Sequence, residues 1–246
     1  MMTPAAGEAY ISEIQFVRDA ECLSTIRSIR ALLAATNVEE EMLRLMSVPM
    51  LYSVWERAFS NWTAISLRVL REVYSTAAAC PPQSRAFWLR KASFFKSFVD
   101  AVRDVVELER EDSIFQQNTG FSKKITKGAF VLSSQVLAKL DEWHSKPLAL
   151  QGDMSELVIT YSNVNENVLT LNADAIGLNS TVAYQTLDKS RLGQLVGIRN
   201  GIGHGASLQA PGVRELNELI DYTEMLVNQY AEVTIEWINI HIERAG

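Results

Sequence analysis

The architecture follows from the residues between Leu51 and Tyr74, which read LYSVWERAFSNWTAISLRVLREVY. Large side chains recur in this stretch at the spacing of one buried helix face. They are Tyr52, Trp55, Phe59, Trp62, Ile65, Leu67, Leu70 and Val73. We therefore predict that the stretch forms the central and most buried helix of the protein.

Helical patterns continue on both sides of this stretch. Apolar residues recur at helical spacing between Tyr10 and Ala35, after a weakly patterned terminus, residues 1–9, that we expect to be frayed. The central stretch belongs to a longer helical run over about residues 39–79, which Pro49 kinks or divides. Further helices are predicted over residues 84–109, 163–176, 181–202 and 213–243. Residues 121–145 contain a helical run that ends at Trp143-His144, and only residues 155–161 lean towards β structure. The expected fold class is all-α.

The composition agrees with a helical chain that buries a large core. Hydrophobic residues make up 48% of the 246 residues, and 12 Gly and 6 Pro are too few for a turn-rich β fold. We expect one helical domain over residues 1–246, in which residues 1–36 are an N-terminal helical extension and residues 37–246 are the core.

Charge and cysteine content exclude several classes of function. The formal net charge of −6 argues against a broad basic surface, so nucleic-acid binding would have to come from a local basic cleft, from symmetry or from a partner. Cys22 and Cys80 belong to no Cys/His cluster, so we expect buried thiols, no metal and no cofactor. Since no leader pattern and no membrane-spanning run is seen, we expect no membrane partner and a cytoplasmic location.

The segment with the clearest chemistry runs from Leu195 to Gly205 and reads LVGIRNGIGHG. Within it, His204 can act as general base on a ribose 2′-hydroxyl or as general acid on the leaving 5′-oxygen. Arg199 can stabilise charge on the phosphoryl oxygens, and Asn200 can orient the histidine or bind a phosphate oxygen. This set predicts metal-independent cleavage of RNA.

A simpler interpretation of the same segment stays open. Gly203 and Gly205 can end a helix, with His204 stabilising the C-terminal dipole. On an ideal helix Asn200 and His204 share a face, whereas Arg199 is turned by about 140° from His204. A site that uses both therefore needs a wrapped arginine, a helix loosened at its glycines, or a second subunit.

Three segments of the chain resemble the HEPN superfamily. Arg-Asn-x-x-x-His-Gly near the end of an all-α chain is similar to the Arg-x4-His motif of these proteins. Leu51-Tyr-Ser-Val-Trp-Glu-Arg-Ala-Phe59 resembles an early helix of the MAE-like branch, with its Tyr-x-x-Trp-Glu pattern. Ser162-Asn-Val-Asn-Glu-Asn-Val-Leu169, followed by Ile176-Gly-Leu178, is similar to a segment upstream of the motif in that branch and in its RiboL-PSP-associated relatives.

The resemblance implies a fold, an activity and partners. The fold would be a HEPN-type helical bundle with additional helices. The activity would be that of a metal-independent endoribonuclease, with Arg199 and His204 in catalytic roles and Asn200 as the polar residue after the arginine. Such proteins generally dimerise and act as toxins or effectors in bacterial conflict systems, so we expect an RNA substrate, a homodimer, and an antitoxin or other defence-system protein as partner. The last helix offers apolar residues for a dimer interface, namely Leu219, Tyr222, Leu226, Tyr230, Ile235 and Ile238.

Glu56 is a further candidate site residue, because it lies on the apolar helix between Trp55 and Phe59. A buried carboxylate needs a partner. In a functional role, Glu56 reaches the active groove and orients His204 or Arg199. In a structural role, it reaches solvent or pairs with a nearby arginine such as Arg57, Arg68 or Arg90.

The alternative function is a non-catalytic HEPN-like helical module that binds RNA, a nucleotide or a protein. The acidic charge and the glycines on both sides of His204 favour it. A purely structural role in a larger assembly is a third option. The basic cluster of Lys123, Lys124 and Lys127 either contacts RNA phosphates or is a solvated face.

Overall fold

The computed structural model describes residues 2–35, 40–91, 99–100, 102–104, 127–145, 158–161, 163–203 and 209–243, with the backbone alone over 87–91, 127–133 and at 243. These residues contain α-helices and short helical turns and no strand, including residues 158–161, so the all-α prediction is confirmed. The α-helices are α1 (Pro4–Phe16), α2 (Ser24–Ala35), α3 (Glu41–Val73), α4 (Pro82–Lys91), α5 (Lys127–Ser145), α6 (Glu166–Ile176), α7 (Val182–Thr186), α8 (Leu192–Gly203) and α9 (Val213–Glu243).

The chain divides into two compact units. Unit 1 consists of Met1–Val73 and Asp153–Gly246, and unit 2 of Tyr74–Gly152. In unit 2, α5 contacts the short helical turn Ala77–Ala79 and buries Trp143. The single domain over residues 1–246, with its extension and core, stays a prediction. The described candidate catalytic residues Glu56, Arg199 and Asn200 belong to unit 1.

The N-terminus of unit 1 is an ordered helix and not a frayed end. The Thr3 side chain accepts a hydrogen bond from the backbone N–H of Ala6 at 3.2 Å, and Pro4 follows as the first helical residue. The helix is anchored by Gly7, where a Cβ atom would overlap the side chain of Ile242 on α9. A π-helical turn over Val17–Leu23 joins α1 to α2.

The core of unit 1 is built on α3 and α9, which pack against each other. The ring of Tyr230 on α9 lies 5.5 Å from the ring of Trp55, 5.8 Å from that of Phe59 and 5.9 Å from that of Trp62. Its hydroxyl lies 3.0 Å from that of Thr63. All three aromatic residues on α3 are fully buried, as predicted for the central helix. Pro49 does not divide α3, which ends at Val73 and not near residue 79.

The helix α9 has the bounds predicted from its pattern, but its apolar face is used inside unit 1. Five of the six residues expected to offer a dimer interface are buried, namely Leu219, Tyr222, Leu226, Tyr230 and Ile238. They pack into the core with α3, so they are covered before any partner binds. A dimer contact would have to use other residues.

The segment predicted as one helix over residues 181–202 forms two. The α7 helix ends at Thr186 and α8 begins at Leu192. The cause is a local turn, because the Asp188 carboxylate accepts a hydrogen bond from the backbone N–H of Ser190 at 2.9 Å. The preceding helix, α6, is capped by Asn165 and ends at Gly177 in the left-handed conformation, with φ 93°. No helix in the described ranges is long and apolar enough to span a membrane.

Candidate active site

Arg199 is held near the end of α8 by two asparagine side chains. Its Nη1 atom donates to the Oδ1 atom of Asn163 at 3.2 Å and to the Oδ1 atom of Asn200 at 3.0 Å. Nη1 carries two hydrogens, so both are engaged. Asn163 lies in the loop before α6, and this loop and α8 together fix the guanidinium.

The Arg199 guanidinium lies over an aromatic ring of α3. Its Cζ atom is 4.9 Å from the centroid of Tyr52, within the range of a cation–π interaction. The other three N–H groups, one on Nε and two on Nη2, have no partner within the described part of the chain. These groups form the edge of the guanidinium that binds two oxygens of a phosphate or carboxylate at once.

The orientation of the two asparagine amides follows from the arginine. A guanidinium has only donors, so the Oδ1 atoms of Asn163 and Asn200 face it. Their NH2 groups therefore point away from the Arg199 Nη1 atom. Each can donate to a further oxygen atom near the guanidinium.

The loop that carries Asn163 is held by the Tyr-x-x-Trp pattern of α3. The backbone N–H of Val164 donates to the Tyr52 hydroxyl at 2.8 Å. The backbone carbonyl of Val164 accepts from Trp55 Nε1 at 3.0 Å. Val164 is fully buried, so its two polar backbone groups are satisfied by these two side chains. The pattern thereby positions the partner of Arg199.

Glu56 joins the same cluster through Tyr52. The Tyr52 hydroxyl donates to Glu56 Oε1 at 3.4 Å. Burial raises the pKa of Tyr52 above its ordinary value, and Glu56 adds to the rise, while Val164 N–H and Arg199 lower it. The hydroxyl therefore stays protonated at neutral pH and can serve as this donor.

The arginines considered as partners of Glu56 bind elsewhere or lie outside the described side chains. Arg57 lies 3.6 Å from Glu21, and Arg68 lies 2.6 Å from Glu13. The side chain of Arg90 is not among those described.

The structure thus brings three of the four predicted site residues, Glu56, Arg199 and Asn200, into one cluster. His204 lies outside the described residues, one position beyond the end of α8. Lys123 and Lys124 also lie outside them, and Lys127 begins α5 in unit 2 with its side chain undescribed. Gly203 is the last described residue of α8 and Gly205 lies outside the described residues, so the interpretation of this segment as a helix end stays open.

Sequence reasoning missed Asn163 as a site residue. Asn163 and Arg199 are 36 positions apart, and no periodicity links a loop residue to a helix residue over that distance. The available signal was indirect, since Asn163 lies in one of the segments that carried the family resemblance.

Histidines and acids elsewhere form no second centre in the part of the chain described. His241 is buried, and its Nδ1 atom lies 2.8 Å from the carbonyl oxygen of Trp237. No group of three or more His, Cys, Asp or Glu side chains that could hold a metal ion occurs among the described residues.

Comparison with known proteins identifies one family. The RiboL-PSP-HEPN family model matches residues 16–236. The match includes the Tyr52 to Glu56 pattern, the Asn163 loop and the segment of Arg199 and His204. No curated protein and no solved structure matches the chain.

Proposed function

Because the chain belongs to the RiboL-PSP-HEPN family, within the HEPN superfamily, we propose that it is a metal-independent endoribonuclease of the HEPN type. The observation that supports this most is the fixed Arg199 guanidinium. Two asparagine oxygens and the Tyr52 ring hold it, and its Nε and Nη2 groups stay available for two oxygens of a phosphodiester.

The reaction would use a nucleophile of the substrate itself. The ribose 2′-oxygen attacks phosphorus and forms a bond, and the bond from phosphorus to the 5′-oxygen breaks. The products are a 2′,3′-cyclic phosphate and a 5′-hydroxyl. His204 accepts the 2′-hydroxyl proton or donates a proton to the 5′-oxygen. The Arg199 groups bind the non-bridging oxygens, whose negative charge increases in the transition state.

Asn200, Asn163 and Glu56 would be positioning residues. The two amide oxygens hold Arg199, and the amide NH2 groups can donate to the substrate. Glu56 acts through Tyr52. Its carboxylate accepts a hydrogen bond from the Tyr52 hydroxyl, and the Tyr52 ring lies against the Arg199 guanidinium. Their loss should reduce turnover less than loss of Arg199.

The product ends provide the first test. We expect cleavage in the presence of EDTA, with 2′,3′-cyclic phosphate and 5′-hydroxyl ends. Replacing the nucleotide at the cleavage site by its 2′-deoxy form should abolish the cut, because the nucleophile is then missing. The variant His204→Ala should lose about 100-fold or more of the rate. Cleavage of the 2′-deoxy substrate would contradict the mechanism.

We further propose that the enzyme acts as a homodimer, in which two copies of the Arg199 to His204 segment face one groove. The geometric reason is that Arg199 and His204 cannot share one face of a regular helix. Specific activity should then fall on dilution, in step with the dimer fraction measured by light scattering. Activity that is independent of concentration while the protein is monomeric would contradict the shared groove.

A biological role in a bacterial defence or toxin–antitoxin system is part of the same proposal. Expression should arrest growth, and the arrest should disappear in His204→Ala. An antitoxin or other defence-system protein would be the partner that restrains the enzyme. Growth arrest that persists in His204→Ala would separate toxicity from cleavage.

The second candidate function is a non-catalytic HEPN-like module that binds RNA, a nucleotide or a protein. The net charge of −6 and the glycines beside His204 favour it. The fixed Arg199 guanidinium would bind a phosphate in this case too. Salt-dependent binding of RNA that requires Arg199, without any cleavage, would identify the module.

A further inference from the structure

Tyr161 is an exposed aromatic residue in the loop that carries Asn163. It is 61% exposed, and its backbone has a φ of 44°. This left-handed conformation is usually left to glycine, asparagine or aspartate, because a larger side chain is strained there. Within the described residues, no hydrogen bond or ring contact engages the Tyr161 side chain, so its packing in unit 1 does not explain the strain.

The backbone around Tyr161 is held firmly on both sides. The backbone N–H of Asn163 donates to the carbonyl of Thr160 at 2.9 Å and closes a turn over Tyr161. Before the turn, Ile159 donates its N–H to Asn172 Oδ1 at 3.2 Å and accepts at its carbonyl from Asn172 Nδ2 at 2.8 Å. Asn172 is itself fully buried. The surrounding structure therefore fixes the position from which the ring projects.

This position is next to the Arg199 cluster. Tyr161 and Asn163 are two positions apart in the chain, so their Cα atoms are at most about 7 Å apart. The Asn163 side chain in turn lies 3.2 Å from Arg199 Nη1. An exposed aromatic residue therefore lies two positions along the chain from the residue that holds Arg199, and the Nε and Nη2 groups of Arg199 have no partner among the described residues. A nucleotide offers the matching pair of groups, an aromatic base and a phosphate.

We propose that Tyr161 is a stacking platform for one unpaired nucleobase beside the phosphate that Arg199 binds. This inference rests on the proposed ribonuclease function and adds a substrate class to it, namely single-stranded or looped RNA. A base in a duplex is already stacked on its neighbours and offers no free face. Every base has an aromatic face, so this contact selects unpaired nucleotides without selecting a particular base.

The test compares two substitutions at Tyr161. Asparagine tolerates the left-handed backbone, so Tyr161→Asn removes the ring and keeps the turn. Tyr161→Phe keeps the ring and removes only the hydroxyl. The Kd of a fluorescent RNA hexamer is measured for each protein. The same measurement is made with hexamers in which one nucleobase is removed and the sugar-phosphate backbone is kept. Thermal unfolding of both variants serves as the control for folding.

We expect Tyr161→Asn to bind the intact hexamer about 5-fold or more weakly, and Tyr161→Phe to bind it within about 2-fold of the wild type. Removing the stacked base should weaken binding to the wild type and leave binding to Tyr161→Asn unchanged. In cleavage assays Tyr161→Asn should raise KM more than it lowers kcat.

Three outcomes overturn the inference, and they can be distinguished from one another. If the wild type binds and cleaves RNA and Tyr161→Asn does so equally well, the stacking role is wrong and the ribonuclease function stands. If the wild type neither binds nor cleaves any RNA, the proposed function fails and the platform fails with it. Equal loss in Tyr161→Asn and Tyr161→Phe would also contradict stacking, because the ring is present in the second.

Discussion

Arg199 on α8 donates from Nη1 to the side-chain oxygen of Asn163 across 3.2 Å, which ties the end of a helix to a loop 36 residues earlier in the chain. The loop is fixed in turn by Tyr52 and Trp55, which bind both polar backbone groups of Val164. The orientation of the arginine thus depends on side chains from three separate parts of the sequence. The candidate site is a product of tertiary structure and not of one motif.

The first prediction concerns the Asn163 contact. Asn163→Ala removes one of the two acceptors of Nη1 and should lower the RNA cleavage rate by about 10-fold or more, since a hydrogen bond to a charged group contributes about 1.5–3 kcal/mol. Asn179→Ala is the matched control, because Asn179 is exposed and bonds to Asp174 away from the cluster. Equal rates for the two variants would show that Asn163 does not position Arg199.

The second prediction concerns stability. Tyr52→Phe keeps the ring under Arg199 but leaves the buried N–H of Val164 without a partner, so the free energy of unfolding should fall by about 1–3 kcal/mol. Tyr10→Phe is the control, because the Tyr10 hydroxyl bonds to Glu72 near the surface, where water can replace it. Urea unfolding measures both. A larger loss for Tyr10→Phe would contradict the role of the Tyr52 hydroxyl.

The third prediction uses an exposed glycine of α8. A Cβ atom at Gly197 would meet no atom within 4 Å, so Gly197→Ala should stabilise the helix by up to about 1 kcal/mol. Gly7→Ala should do the opposite, because its Cβ would overlap Ile242. Thermal unfolding should show a higher Tm for the first variant and a lower Tm for the second. A lower Tm for Gly197→Ala would mean that α8 packs differently.

The fourth prediction concerns the two buried cysteines. Burial raises the pKa of Cys22 and of Cys80 to about 11, above the ordinary value of about 8.5 for a thiol. Their contribution to stability should be present below about pH 8.5 and be lost as pH rises towards 11. At pH 8 the native protein should react slowly with a thiol reagent, and both thiols should react at once in urea. Fast reaction of both without denaturant would contradict the burial.

Helix positions were predictable where a single apolar face decides the structure. The last helix, α9, has a continuous periodic pattern, and its observed bounds are those expected. The break between α7 and α8 was not visible, because the hydrogen bond from Ser190 to Asp188 competes with helix formation without interrupting the apolar pattern. The start of the N-terminal helix was missed although Thr3 and Pro4 form a local N-cap signal, and the close approach of Gly7 to Ile242 is a contact that no local pattern shows.

The site was predictable only in part, for a similar reason. Arg199 and Asn200 are neighbours in sequence, and their side chains can both bind phosphate oxygens, so the residue types alone identify them as site candidates. Glu56 was marked by its place on an apolar helix. Asn163 and Tyr161 were not marked, because their importance comes from a loop geometry that Tyr52, Trp55 and Asn172 impose. Such contacts exist only in the folded chain.

The role of Arg199 in binding the cleaved phosphate is tested most directly by the rate of RNA cleavage in EDTA for Arg199→Ala and for Arg214→Ala. Both variants remove one positive charge, but Arg214 is an exposed residue at the start of α9 that pairs with Glu218. We predict that Arg199→Ala loses about 100-fold or more of the wild-type rate, and that Arg214→Ala keeps it. Equal rates in the two variants, or no cleavage by the wild type, would contradict the claim that Arg199 binds the phosphate that is cut.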